Sequence, residues 1–225
     1  MSFATMSVTA ALQARMSVRA FKATEVPPQL LEEVFTLAQR VPSNCNVQPC
    51  RAYVVSGAKK EQLKHELLAA VLGGQPPNPD FEWSVKFQGA HRERQIGSAN
   101  ALYSAMGIER ADKEGRQSAM LRNWSFFDAP HAAFFTMEKY LRLIGAVDLG
   151  IFAQTVAMLL AERGIASCMQ GALGQFPAPA RAMFGLADDV GILFGMSFGY
   201  AETEAPANKT RTDRVALDAV VRFLS

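Results

Sequence analysis

Apolar residues in this chain recur at helical spacing in some stretches and form short unbroken runs in others. Leu30, Leu31, Val34, Phe35, Leu37 and Ala38 share one face of a helix over 29–41, which restarts after Pro27-Pro28 and stops before Pro42. Leu63, Leu67 and Leu68 mark the inward face of a second helix over 59–71. The run 149–163 is apolar on most of its surface (Ile151, Phe152, Val156, Met158, Leu159, Leu160), with Gly164 placed to end it. It predicts a central helix. Shorter helices are expected at 8–14, N-capped by Ser7 with Leu12 as the largest apolar residue, and at 91–106, 112–122 and 177–184. Four runs, 52–55, 132–135, 165–169 and 190–198, read as strands, with 132–135 and 190–198 expected to be buried. The closing run 215–224 fits either strand or helix, and no internal repeat appears. Helices alternating with a few strands give an α+β or α/β fold in one domain, residues 1–225.

Two stretches lack periodicity and carry chemistry instead. Pro42-Ser43-Asn44-Cys45-Asn46-Val47-Gln48-Pro49 is built from short hydrogen-bonding side chains between prolines. Such residues turn and cap well, and a loop of them between rigid elements suits a small polar ligand. Residues 72–90 hold Gly73-Gly74, Pro76-Pro77 and Pro79 beside Phe81, Trp83 and Phe87. A loop of this length is usually functional, and three large aromatic rings there must cover something. Met106, Met120 and Met158 are read as core.

Composition narrows the classes. Hydrophobic residues make up 49% and charged residues 20%, ordinary values for a folded domain. The net charge of +2, with no run of five basic residues, argues against nucleic acid. Cys45, Cys50 and Cys168 form no CxxC pair and no ligand set with His65, His91 and His131. Neither a metal nor a disulfide framework is expected, and a reducing, cytoplasmic setting is. The first 14 residues lack the charge-then-apolar order of a signal peptide, and no membrane span is expected. Gly195-Met196-Ser197-Phe198-Gly199 matches a nucleophile elbow, but every histidine precedes Ser197 and no helix is expected after it. We read Ser197 as a strand residue. Neither a GxGxxG nor a P-loop motif is present.

A further set of motifs occurs in order along nearly the whole chain: Arg15-Met16-Ser17-Val18-Arg19-Ala20-Phe21, the Pro42–Pro49 loop, Cys168-Met169-Gln170-Gly171, a strand ending in Gly199-Tyr200, and Asn208-Lys209-Thr210-Arg211. Each is weak alone. As an ordered set they resemble the FMN-dependent nitroreductase family. The resemblance implies a three-layer α+β sandwich, a small and mostly antiparallel sheet covered by helices, in an intertwined homodimer with FMN at the subunit interface. It implies ping-pong chemistry: NAD(P)H reduces FMN and leaves, then a nitroaromatic or quinone takes the electrons. The alternatives are an activated alkene or halogenated aromatic as acceptor, or a non-catalytic flavin-binding protein.

By the same resemblance, Arg15, Arg19, Lys209 and Arg211 are the cations at the FMN phosphate and ring edge, with the Ser17 hydroxyl and Met16 beside them. A phosphate with close to two negative charges calls for several such donors. Pro42, Ser43, Asn44 and Asn46 would line the flavin from the partner subunit, with Gln48 close by. Gln170 and Gly171 would lie along the flavin edge near N5. Phe81, Trp83, Phe87 and Trp124 are the candidate contacts to an aromatic acceptor. Three positions depart from the family pattern: Cys50 replaces an aromatic, Gln170 a frequent Glu and Met16 a frequent His. No side chain is a compelling acid, so protons are expected from water or from the flavin itself.

Overall fold

The computed structural model describes residues 6–82 and 85–224. Its helices are α1 (Val8–Ala14), α2 (Pro28–Ala38), α3 (Gly57–Leu72), α4 (Gly89–Ala105), α5 (Lys113–Leu121), α6 (Arg142–Glu162) and α7 (Pro177–Phe184). Its strands are β1 (Arg51–Ser56), β2 (His131–Glu138), β3 (Ala166–Gln170) and β4 (Val190–Gly199). The strands form one antiparallel sheet in the order β1-β2-β4-β3.

The two central strands are buried on both faces, which explains why they read as continuous apolar runs. Along β2, Ala133, Phe135 and Met137 pack into a core with α2 and α6, while Ala132 and Phe134 point the other way into a core with α3 and α7. This alternation makes the three layers: α2 and α6, the sheet, then α3 and α7. Burying a side chain such as Phe135 or Leu160 contributes about 1.5–3 kcal/mol. Gly174 lets a 3₁₀ turn lie flat on β4, since a Cβ there would sit 2.5 Å from the Leu193 carbonyl oxygen.

Several expectations are corrected. Helix α6 starts at Arg142, seven residues before the apolar run, because its first turns are exposed and mixed in character. By length and composition it could also cross a membrane, which the sequence reading did not foresee. Its buried residues Leu149, Phe152, Val156 and Leu160 pack against the sheet. The run 215–224 is neither strand nor helix but holds a single 3₁₀ turn, Leu217–Ala219, with Phe223 and Leu224 exposed. Ser7 caps α1 as expected, accepting from the Ala10 N–H at 3.1 Å, yet α1 buries Ala11 rather than Leu12. Met120 is exposed, not core.

One buried polar group ties the front of the chain to the sheet. His131 on β2 accepts the Val26 N–H through Nε2 at 2.9 Å, so its proton lies on Nδ1, facing the Ser56 hydroxyl oxygen. Its ring stacks on Phe198. Burial holds the imidazole below its ordinary pKa of 6.5, with Lys60 adding to the effect and Glu25 opposing it. The unfolded chain therefore binds a proton at pH values where the folded one does not, and stability falls as pH drops below 6.5. We expect the urea midpoint to decline across that window and the decline to flatten in His131→Gln. Equal slopes in the two proteins would remove His131 as the cause.

Candidate functional site

The two ends of the chain meet at Asn208. Its side chain is buried; Oδ1 accepts the Arg19 N–H at 2.7 Å, and Nδ2 donates to the carbonyls of Ala20 and Glu202, each at 2.8 Å. The segment 15–21 also lies along the sheet. Ser17 bridges to Ser167 beside β3, Phe21 bridges to Ala201, and the Lys22 N–H reaches the Tyr200 carbonyl at 2.9 Å. Val18 and Phe21 anchor it in a small core with Phe127, Ala129 and Cys168. With the backbone fixed in this way, its polar side chains are left to face outward.

They face a cavity of about 640 Å³. Arg15, Met16, Ser17 and Arg19 form one wall, and Thr210, Arg211, Thr212 and Arg214 another. Helix α4 supplies the third with Gln95, Ser98, Ala99 and Leu102, four residues on one helical face. Four arginines thus surround one space whose lining, among the described residues, has no carboxylate. The Thr210 Oγ1 atom is buried and has no hydrogen-bond partner among the described residues, an arrangement that costs about 1–3 kcal/mol unless a ligand fills it. Cys168 lies against the same segment. Burial raises its pKa, while Arg19, a hydrogen bond to Ser17 and Arg15 pull it down.

The predicted residues divide into groups. Arg15, Met16, Ser17, Arg19 and Arg211 come together here, whereas Lys209 turns outward and pairs with Glu204 at 3.3 Å. Arg214, Thr210 and Thr212, not singled out from the sequence, stand in its place, as do Gln13 and the α4 residues. The clue in the sequence was the lack of an apolar stripe on the 91–106 helix, of which nothing is buried.

The Pro42–Pro49 loop does not reach this cavity within the chain. Pro42, Asn44 and Asn46 belong to its exposed rim, and Ser43 and Gln48 line a separate cavity of about 360 Å³ with Phe35, Cys50 and Phe152. Asp148, buried on α6, pins the loop by accepting the Asn44 N–H at 3.1–3.2 Å through both carboxylate oxygens. The Ser43 hydroxyl oxygen accepts the Gln48 N–H at 2.9 Å. Cys45, Asn46 and Gln48 all have positive φ without being glycine, the kind of strain that collects at functional loops. Burial, with Asp148 nearby, pushes the Cys50 thiol up to about 11.

Gly171 is exposed at the end of β3, but the Gln170 side chain turns inward. Its Oε1 accepts from the Ser197 hydroxyl, and its Nε2 donates to the Asn123 carbonyl at 2.8 Å and to Asn123 Oδ1 at 3.3 Å. Ser197 is fully buried, so the nucleophile-elbow match is a structural serine. The aromatic expectations need correction. Trp124 is only 5% exposed, packs edge-on against Phe176 and donates to the Ala172 carbonyl at 3.2 Å, so it is a core residue and not a substrate contact. Phe81 packs against Gly191 and the α2–α6 core, pinned by its neighbour Asp80, which accepts from Lys139, Arg181 and the Ile192 N–H. Phe87 is exposed, and Trp83 lies outside the described residues.

Comparison with known proteins decides the family. The Nitroreductase family profile matches residues 12–200. The chain belongs to the nitroreductase family. It is 36% identical over 213 residues to nitroreductase NfnB of Mycolicibacterium smegmatis, covering 94% of this chain and 90% of that protein. It is 30% identical to the 4-nitrobenzoate reductase of Pseudomonas putida, covering 100% and 98%. Among solved structures, the FMN and NADPH-dependent nitroreductase NfnB from sphigopyxis sp. strain HMH superposes with a TM-score of 0.94 at 34% identity, covering 98% of this chain and 100% of that one. The FMN-dependent NfnB from Mycobacterium smegmatis, solved in complex with NADPH, gives 0.91 at 35% identity, covering 96% of each chain. The fold is therefore the family's α+β sandwich.

The Gln170 clamp has a direct test. An amide fits there because it offers an acceptor to Ser197 and a donor to Asn123. A glutamate would set a carboxylate oxygen against two acceptors, so its charged form is disfavoured and its pKa rises. A raised acid pKa gives stability at low pH that is lost as pH rises through it. We expect Gln170→Glu to cost about 1–3 kcal/mol at neutral pH and to recover on acidification, read as the thermal midpoint against pH relative to the parent. A deficit that does not change with pH would show that the amide's donor is not what matters.

Proposed function

We propose that this chain is an FMN-dependent NAD(P)H oxidoreductase that reduces nitroaromatic or quinone-type acceptors by a ping-pong mechanism. It works as one domain, 1–225, in a cytoplasmic homodimer with FMN at the subunit interface. The observation that carries the reading is the carboxylate-free cavity of four arginines, with the buried, unpartnered Thr210 hydroxyl among them. This donor set fits a flavin phosphate: guanidinium forks and hydroxyls match its oxygens, and the positive charges attract its negative ones. Held by these residues, FMN would supply two-electron redox chemistry between NAD(P)H and the acceptor.

The chain's own groups bind and orient. Arg15, Arg19, Arg211 and Arg214 would hold the anionic end, with the Ser17 and Thr210 hydroxyls as further donors. Gly171 presents backbone without a side chain, which permits close approach to the ring edge. Among the described residues no carboxylate or histidine lines the cavity, which fits protons arriving from water. Two features support a dimer. The loop residues Asn44, Asn46 and Gln48 are exposed and do not reach the arginine cavity of their own chain. The apolar side chains Val220, Phe223 and Leu224 are exposed on the closing segment and need cover. The relatives named as reductases of nitro compounds favour a nitroaromatic acceptor.

The purified protein should be yellow, bleach anaerobically with NAD(P)H and regain colour when a nitroaromatic is added. Colour that survives an excess of both donors would leave a flavin-binding protein without turnover. Arg211→Ala should weaken FMN binding about ten- to a hundredfold, the value of one charge-assisted contact. Unchanged occupancy at limiting FMN would remove Arg211 from the site. If the 42–49 loop completes the partner's site, dilution to monomer should release FMN, and added FMN should shift the equilibrium back to dimer. A monomer that keeps full FMN affinity would overturn the shared site.

A further inference from the structure

The 42–49 loop makes nearly all of its hydrogen bonds within itself. The Ser43 carbonyl accepts the Asn46 N–H and the Asn44 carbonyl the Val47 N–H, each at 3.0 Å. The Ser43 hydroxyl oxygen accepts the Gln48 N–H at 2.9 Å, and Gln48 Nε2 donates to the Asn46 carbonyl at 3.1 Å. Among the described residues, one group outside the loop is hydrogen-bonded to residues 43–48, the Asp148 carboxylate on the Asn44 N–H. Asp148 stands in α6 directly before the core residue Leu149, is only 4% exposed, and makes no ion pair among the described residues. A buried carboxylate without a cation is costly, and one N–H leaves most of its acceptor positions unused. For stability alone an apolar side chain would serve α6 better here. The Cys50 thiol, pushed up to about 11 by burial and then by Asp148, registers the same negative charge beside the loop.

We propose that Asp148 is a positioning residue for the flavin: by holding the Asn44 N–H it sets the exposed side chains of Asn44, Asn46 and Gln48 where they meet the FMN of the partner subunit. The inference rests on the function proposed above, which gives this loop to the partner's flavin. Cys45, Asn46 and Gln48 hold positive φ, a conformation that relaxes unless its surroundings fix it. The bonds inside the loop fix its shape but not its place. The Asp148 bond refers that shape to α6, whose residues Leu149, Phe152, Val156 and Leu160 are packed in the core. A carboxylate suits the task. Both of its oxygens lie 3.1–3.2 Å from the one N–H, so small rotations do not break the contact. A charged acceptor also bonds about twice as strongly as a neutral one. Asp148 acts through Asn44 and does not itself touch the cofactor.

The test uses the full chain with FMN and two variants: Asp148→Asn, which keeps an acceptor oxygen, and Asp148→Leu, which removes it. Melting temperature and dimer mass show that each is folded and paired. Asp148→Leu should bind FMN about tenfold more weakly, the effect of losing one charge-assisted contact, and the visible absorption bands of its bound flavin should shift. Asp148→Asn should regain most of the affinity and the parent spectrum. A changed melting temperature in Asp148→Leu with FMN affinity and spectrum unchanged would make Asp148 a purely structural residue and overturn the assignment. Equal losses in both variants would also overturn it, because the charge and not the hydrogen bond would then be what counts. Action across the interface is read in mixed dimers of Asp148→Leu and Arg211→Ala chains, isolated with two different tags. One site in each such dimer combines intact arginines with an intact loop and should keep the parent's FMN affinity. Mixed dimers with both sites weakened would overturn action on the partner's flavin. Should the parent bind FMN that NAD(P)H does not bleach, the proposed function fails, while the affinities and spectra still decide the role of Asp148.

Discussion

The candidate site depends on one buried amide. Asn208 stands 189 residues from Arg19, and its three hydrogen bonds hold the two ends of the chain side by side. The segment carrying Arg15 and Arg19 is held to the sheet by its own bridges and small core, and Asn208 is what fastens the segment carrying Arg211 and Arg214 beside it against the repulsion of like charges. Four guanidiniums around one carboxylate-free space repel each other, a cost that only rigid anchoring or a bound anion offsets. The anchoring is cheap because Asn208 is fully satisfied: its oxygen accepts once and its nitrogen donates twice. An aspartate there could accept the Arg19 N–H but would face the carbonyls of Ala20 and Glu202 with no donor to offer them.

The sheet extends this fixity to the second wall. Strands β2 and β4 are buried on both faces, so their register is set by two hydrophobic cores at once, and slippage by one residue would exchange the residues of the two cores. Strand β3 pairs with β4 through Gln170 and Gly195, and that is where Ser197, fully buried on β4, reaches across to the Gln170 amide. The position of exposed Gly171 is thus a consequence of core packing several ångströms beneath it. The same logic applies to the front segment, which runs beside β3 through Ser17 and Ser167.

Much of this was legible in the sequence, for physical reasons that differ from place to place. The helices 177–184 and 29–41 and the strand 190–198 carried strong periodicity or unbroken apolarity between prolines and glycines, and the elements appear within a few residues of the expected bounds. Arg15, Ser17, Arg19 and Arg211 were found because they sit in short ordered motifs. Side-chain direction was not legible. Lys209 and Arg211 share a motif, yet one turns to Glu204 and the other to the cavity. Trp124 and Phe81 looked unaccounted for among polar and loop residues. Their burial comes from partners distant in the chain, Phe176 and Ala172 for one, Gly191 for the other. Helix α4 hid its contribution because a wall of Gln95, Ser98 and Ala99 has no hydrophobic signature.

The remaining pattern concerns strain. Positive φ at non-glycine residues clusters in two turns, Cys45, Asn46 and Gln48 in one and Phe126, Phe127 and Asp128 in the other, and occurs again at Arg142, which opens α6. Each such residue costs about 1–3 kcal/mol, less where Asn or Asp is used. Such conformations persist only where the surroundings over-determine them, and each turn has a buried polar clamp beside it. Asp148, held in α6, takes the Asn44 N–H; Gln170, held between β3 and β4, takes the backbone and side chain of Asn123. Phe126 and Phe127, both buried, drive their turn into two different cores. The sheet and its long helix thus supply a rigid frame part of whose stability is spent at these two strained turns. Both turns border residues that the family resemblance assigns to the flavin: one carries the 42–49 loop, and the other is fastened beside Gly171. An unstrained version of either turn would need glycines, and the freedom they bring would loosen the polar groups that the clamps hold in place.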